Sequence, residues 1–114
     1  MQCTFSSDGN VLIVAPAGRI DTTACHDFKA ALNAKLDESR ARHLVIDLAA
    51  VGYVSSAGFR EFFLVGRRMG HEGGTLSVCS LQPQVREIFE IAQFATSYPM
   101  YDKREAAVAA VKAA

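Results

Sequence analysis

The sequence predicts an α/β domain built on a mixed β-sheet, on three observations. Short apolar runs at residues 11–17, 44–48 and 75–79 have the length and composition of strands. Between them lie stretches whose apolar residues recur every three or four positions, the period of a helix with one buried face. A turn signal, Asp8-Gly9-Asn10, separates residues 3–6 from 11–17 and adds an antiparallel hairpin to the alternating strands and helices.

Each element follows in order. The hairpin is followed by Gly18-Arg19-Ile20-Asp21, and then by Cys25, Phe28, Leu32 and Leu36 at spacings of three, four and four. That stripe is the core face of a first helix, with Asp21, Thr22 or Thr23 as its N-cap. Leu44-Val45-Ile46-Asp47-Leu48 reads as a buried central strand. Residues 49–58, with Gly52, Ser55, Ser56 and Gly58, read as a strand-to-helix loop, and a second helix is expected over 57–69. His71-Glu72-Gly73-Gly74 supplies its C-terminal turn. Thr75–Cys79 alternates as a further strand. Pro83 opens a third helix whose core face is Val85, Ile88, Phe89 and Ala92. A short strand is allowed near 98–101. Asp102 and Glu105 have the spacing of a capping box before an Ala-rich fourth helix, with Val108 and Val111 on one side.

Composition narrows the function classes. The chain has 114 residues, half of them hydrophobic and 21% charged, which is the make-up of one folded domain, 1–114, and not of a disordered chain. Twelve basic and twelve acidic residues cancel, so neither nucleic-acid binding nor a polybasic membrane contact is supported. Cys3, Cys25 and Cys79 form no CxxC pair and read as reduced thiols. The start of the chain has no basic and apolar segments of a signal peptide, and no apolar run approaches the 20 or so residues of a membrane span. A cytoplasmic protein without metal or cofactor is expected. His26, His43 and His71 lack metal-ligand spacing, and no phosphate-cradling glycine loop occurs.

The second helix divides into two arcs. Phe59, Phe62, Phe63, Gly66 and Met69 share one, with Val65 at its margin; Arg60, Glu61, Arg67 and Arg68 share the other. Leu64 falls among the charges, either as an isolated surface leucine or as the apolar centre of a basic contact surface. Ser55 and Ser56 stand where this helix begins. One reading makes one of them its cap; the other makes one a phosphorylation site, since a helix N-terminus tolerates negative charge. A hydrolase elbow needs G-x-S-x-G, and Val54 stands in place of the first glycine before Ser56. Asp47 is open to two roles, bonding the N–H groups of the following loop or shaping the field beside Ser56. Asp21 is a candidate cap.

The stretch LVIDLAAVGYVSSAGFREFFLVGRRM resembles the signature of STAS domains, the anti-sigma factor antagonist family. There a strand ending in Asp or Asn leads through an apolar loop to D-S-[ST]-G-L and a helix. GRIDTTACHDFKAAL, the Gly73-Gly74 turn with TLSVC, and LQPQVREIFEIAQF are similar to the family's other segments in the same order. The resemblance spans residues 11–111. It implies a mixed sheet of four or five strands with helices mainly on one side. It implies no enzymatic activity but partner switching: a serine kinase that is also the anti-sigma factor binds the antagonist, phosphorylates it and releases it, and a serine phosphatase reverses the mark. By position the phosphoacceptor is Ser56, with Ser55 the second choice; Gly58 matches the motif glycine and Asp21 the family's Asp near the loop. The implied contact residues are Asp21, Ser55, Ala57, Gly58, Phe59, Arg60, Leu64 and Arg67. Ser55 replaces the usual Asp, Ala57 the following Ser or Thr, and Phe59 the Leu. The alternative is a constitutive STAS subunit of a transporter or sensory complex, in which Ser56 is only a cap.

Overall fold

The structure, a computed structural model, describes residues 1–113. Strands β1 (Gln2–Asp8) and β2 (Val11–Ile20) form the expected antiparallel hairpin, in register from Gln2 opposite Ala17 to Asp8 opposite Val11. Gly9, at φ +63°, makes the turn. The first half of β2 runs parallel to β3 (His43–Asp47) and its second half, Gly18–Ile20, parallel to β4 (Val51–Val54). A register shift between Gly18 and Arg19 lets one strand serve both neighbours, with Gly18 at φ +105°. Strand β5 (Thr75–Cys79) lies parallel to β3, and the short β6 (Met100–Tyr101) parallel to β5. The order is β1-β2-β3-β5-β6, with β4 on β2 beyond the end of β3.

The mixed sheet thus has six strands, and the additional one lies inside the expected loop 49–58. Val51–Val54 has only four residues, and its buried positions are the two ends. Alternation therefore does not reveal it; pairing with β2 makes it a strand.

Four helices complete the fold: α1 (Thr22–Ser39), α2 (Ser56–His71), α3 (Pro83–Ile91) and α4 (Arg104–Ala113). A 3-10 turn at Phe94–Thr96 follows α3. Strand parity decides which face each helix covers. Leu12, Val14, Leu44, Ile46, Leu76 and Val78 point to one face, where Phe28, Leu32 and Leu36 of α1, Phe62 and Met69 of α2, and Val85 and Phe89 of α3 close over them. Phe59, Phe62, Phe63, Phe89, Phe94 and Tyr98 interlock there, with neighbouring ring centroids 4.6–6.1 Å apart. The alternate residues Val11, Ile13, Val45 and Cys79 meet Ala107 of α4 on the other face, with Val108 and Val111 beside them.

Three helix expectations change. Only Val85 and Phe89 bury on α3; Ile88 is 40% exposed and Ala92 is exposed, because no element among the described residues packs on that flank. Asp102 accepts from Arg86 Nη2 at 2.9 Å, an ion pair with α3 in place of the capping box. Arg68 leaves the exposed arc of α2: it is half-buried and bonded to Asn33 and Asp37 of α1 and to Glu72.

Candidate functional site at the start of helix α2

The end of β2, the end of β4 and the start of α2 meet at one edge of the sheet. Ser55 N–H donates to the Ile20 carbonyl at 2.8 Å, which ties the helix entrance to the last residue of β2. The two serines then separate. Ser55 is the N-cap: it is only 8% exposed, and its Oγ accepts from Gly58 N–H at 3.0 Å. Ser56 is the first residue of α2 and is exposed. Cap duty and a free hydroxyl therefore fall on different residues. Gly58 is explained by space: a Cβ there would lie 2.7 Å from Ile20 Cγ2 and 3.0 Å from its carbonyl oxygen. Glycine is what lets α2 begin this close to β2.

Around Ser56 the surface is apolar and cationic. A groove of about 460 Å³ is lined by Tyr53, Val54, Ser55, Ser56, Phe59 and Ile88. Tyr53, Ile88 and Ile91, at 37, 40 and 76% exposure, are three of the four large apolar side chains most exposed among the described residues. Ile88 lines the groove, and Ile91 lies one turn further along α3. Monomers seldom gather such residues without a partner to cover them. The Arg19 guanidinium sits 4.2 Å from the Tyr53 ring centroid, and Arg60 is exposed on the first turn of α2.

The other expected site residues disperse. Asp21 follows Ile20 directly and caps α1, its Oδ1 accepting from Ala24 N–H at 2.8 Å. Ala57 and Phe59 are half-buried and pack against the core. Leu64 is half-buried and faces a cleft toward α1 with Lys29 and Glu61, so it is not an isolated surface leucine. Arg67 is exposed further along α2. Asp47 takes the first of its two open roles: Oδ1 accepts from Ala49 N–H at 3.0 Å, and Oδ2 accepts from Arg104 Nε at 2.8 Å. Both oxygens are thereby engaged, the second by the helix on the opposite face of the sheet.

Sequence reasoning missed Tyr53, Ile88 and Ile91 as surface residues. Ile88 and Ile91 fit an amphipathic pattern equally well as core, and only the packing shows that nothing among the described residues covers them.

The histidines lie on three different elements. His26 is exposed on α1 and His71 is exposed at the end of α2. His43 begins β3, its Nδ1 2.8 Å from Thr75 Oγ1. No group of three metal-ligating side chains occurs among the described residues. No helix among them is long and apolar enough to cross a membrane. Cys25 and Cys79 are buried free thiols and Cys3 is half-buried; burial pushes the Cys79 thiol up to about 11 and raises Cys3 as well.

Comparison with known proteins agrees with this geometry. The chain is 37% identical over 114 residues to BtrV of Bordetella bronchiseptica, which carries the name anti-sigma factor antagonist; the alignment covers all of this chain and 97% of that one. The structure of an anti-sigma factor antagonist from Mycobacterium paratuberculosis superposes with a TM-score of 0.88 at 25% identity, over 97% of this chain and 93% of that one. The Bacillus cell fate determinant SpoIIAA in its phosphorylated form shares the fold, with a TM-score of 0.75 at 14% identity, over 96% of this chain and 99% of that one. The STAS domain model matches residues 4–107, and the chain belongs to the STAS domain family.

Proposed function

We propose that the protein is a regulatory binding protein of the anti-sigma factor antagonist type, without catalytic activity of its own. Its partner is a serine-kinase anti-sigma factor or a related switch protein. Binding uses the Ser55–Phe59 turn, Arg60 and the apolar groove beside Ser56; Asp21 at the start of α1, and Leu64 and Arg67 further along α2, lie outside that groove and extend the contact. The partner transfers the γ-phosphoryl group of its ATP to Ser56 Oγ, the hydroxyl proton passes to a base of the partner, and ADP leaves. A serine phosphatase hydrolyses the ester and restores the binding form. The reading places the whole cycle in the cytoplasm.

One observation carries this reading. Of two adjacent serines, the buried one holds the helix and the exposed one is spared that duty, at the rim of an exposed apolar groove. A phosphate on Ser56 would stand at a helix N-terminus, where negative charge is favoured by about 0.3–1 kcal/mol, so it alters the surface without unfolding the domain. Ser55, by contrast, would lose its bond to Gly58 N–H on modification, which favours Ser56 as the acceptor.

The test has two parts. Phosphopeptide mapping of the protein from its own cells, with and without stress, is expected to find phosphate on Ser56 that changes with condition. Ser56→Asp is expected to weaken binding to the kinase at least tenfold and Ser56→Ala to bind constitutively. Equal affinities, with no phosphate under any condition, would overturn the proposal; steady co-purification with a transporter ATPase would then favour the constitutive subunit.

A further inference from the structure

We propose that Arg60 is the internal counter-ion of a phosphate on Ser56, so that phosphorylation silences the docking surface by occupying its cation as well as by adding charge. The inference rests on the reading of Ser56 as phosphoacceptor. Ser56 is the first residue of α2 and Arg60 stands four residues later; both are exposed. Residues four apart share a helix face with Cβ atoms about 5–6 Å apart, well within reach of an arginine. The planar guanidinium can take two phosphate oxygens at once, which an ammonium cannot.

The neighbouring charges leave this pairing open. Arg60 makes no ion pair among the described residues. Glu61 lies 3.9 Å from Lys29 Nζ, and Asp21 is held by Ala24 N–H. Arg19 is drawn to the Tyr53 ring on the groove side. Part of the helix terminus is already engaged, because the Gly58 and Phe59 N–H groups donate to Ser55 Oγ and Ser55 C=O, at 3.0 and 2.7 Å, so a side-chain cation adds to what the remaining N–H groups give. In the unmodified protein the same guanidinium is free to meet a carboxylate of the partner. Phosphate then competes with that carboxylate from within the chain.

The experiment places phosphoserine at position 56 during translation, so no kinase is needed. The result therefore does not depend on whether cells phosphorylate Ser56. The second ionisation of the phosphate is followed by phosphorus NMR in about 0.15 M salt. It is expected to fall from about 6 to about 5.5 in the parent protein, to return to about 6 in Arg60→Gln, and to fall only partly in Arg60→Lys. Arg67→Gln serves as control. It lies eleven residues from Ser56, about 16 Å along the helix, beyond a Debye length of about 8 Å, and it should leave the lowered value unchanged. Three results would overturn the proposal: an ordinary value in the parent, the same lowered value in Arg60→Gln, or a loss of the lowering in Arg19→Gln alone. Thermal unfolding of each unphosphorylated variant checks that the fold is kept.

Discussion

The two ends of α2 use similar side chains for opposite purposes. At the C-terminal end Arg68 donates to Asn33 Oδ1 at 2.7 Å, to Glu72 Oε2 at 3.0 Å and to Asp37. Burial works against its charge, yet the bonds to Glu72 and Asp37 outweigh that and hold its pKa above the ordinary arginine value. At the N-terminal end Arg60 faces solvent beside an apolar groove. One arginine joins two helices together; the other is exposed and makes no ion pair among the described residues. A sequence reading that groups Arg60, Arg67 and Arg68 as one basic arc cannot see this. The contrast shows that equal charges on one helix are used differently according to what each end packs against.

Substitutions can break or sharpen this contrast. The largest effect is expected at the glycines that let each end of the helix approach its neighbour. A Cβ at Gly74 would collide with the Arg42 backbone carbonyl, so Gly74→Ala should cost about 3 kcal/mol or more, measured by denaturant unfolding. Gly58→Ala meets a methyl group and a carbonyl less closely and should cost about 1–3 kcal/mol, with loss of partner binding as the α2 entrance shifts. Equal, small losses at both would erase the idea that the two ends are held by close approach.

The next effect is alkaline. Cys79 has its thiol raised to about 11 by burial, so the neutral form is favoured in the folded state. This contribution is complete below the unfolded thiol value and is lost as pH rises through the folded one. Stability should therefore fall by about 1–3 kcal/mol between roughly pH 9 and 11, and Cys79→Ala should flatten the pH curve over that window. The fall belongs to the α4 face of the sheet and should be the same in variants at either end of α2.

Arg68→Ala comes next, at about 1–2 kcal/mol, with part of the loss disappearing at high salt because the cluster is partly exposed. Arg60→Ala should lie within about 0.5 kcal/mol of the parent and change only binding. The smallest comparison is the sharpest. Ser55→Ala should cost about 1 kcal/mol through the lost cap, while Ser56→Ala should leave stability within about 0.5 kcal/mol. Thermal melts that ranked the two serines the other way would reverse their assigned roles.

The sequence by itself determined what local physics decides. Helical and strand periods placed α1, α2, β3 and β5 within a few residues, and turn chemistry placed the hairpin at Asp8-Gly9-Asn10 and the turn that ends α2 at His71-Glu72-Gly73-Gly74. Asp21 as one of three candidate caps was also legible, because capping is a property of a few adjacent residues, whereas Gly58 was marked only by the family resemblance. Tertiary structure decided everything that depends on which element covers which face. Val51–Val54 is a strand because β2 outlasts β3. Asp47 holds its own loop through Ala49 N–H but also bonds Arg104 of α4, and Asp102 pairs with Arg86 of α3; neither distant partner is written in the local sequence. Ile88 is exposed because nothing among the described residues packs on its flank. Ser55 is the cap because the Ile20 carbonyl and the closeness of Gly58 to β2 set where α2 begins, and that leaves Ser56 free. Two identical neighbouring side chains carry no local signal to tell them apart; their difference comes from contacts made across more than thirty residues of sequence.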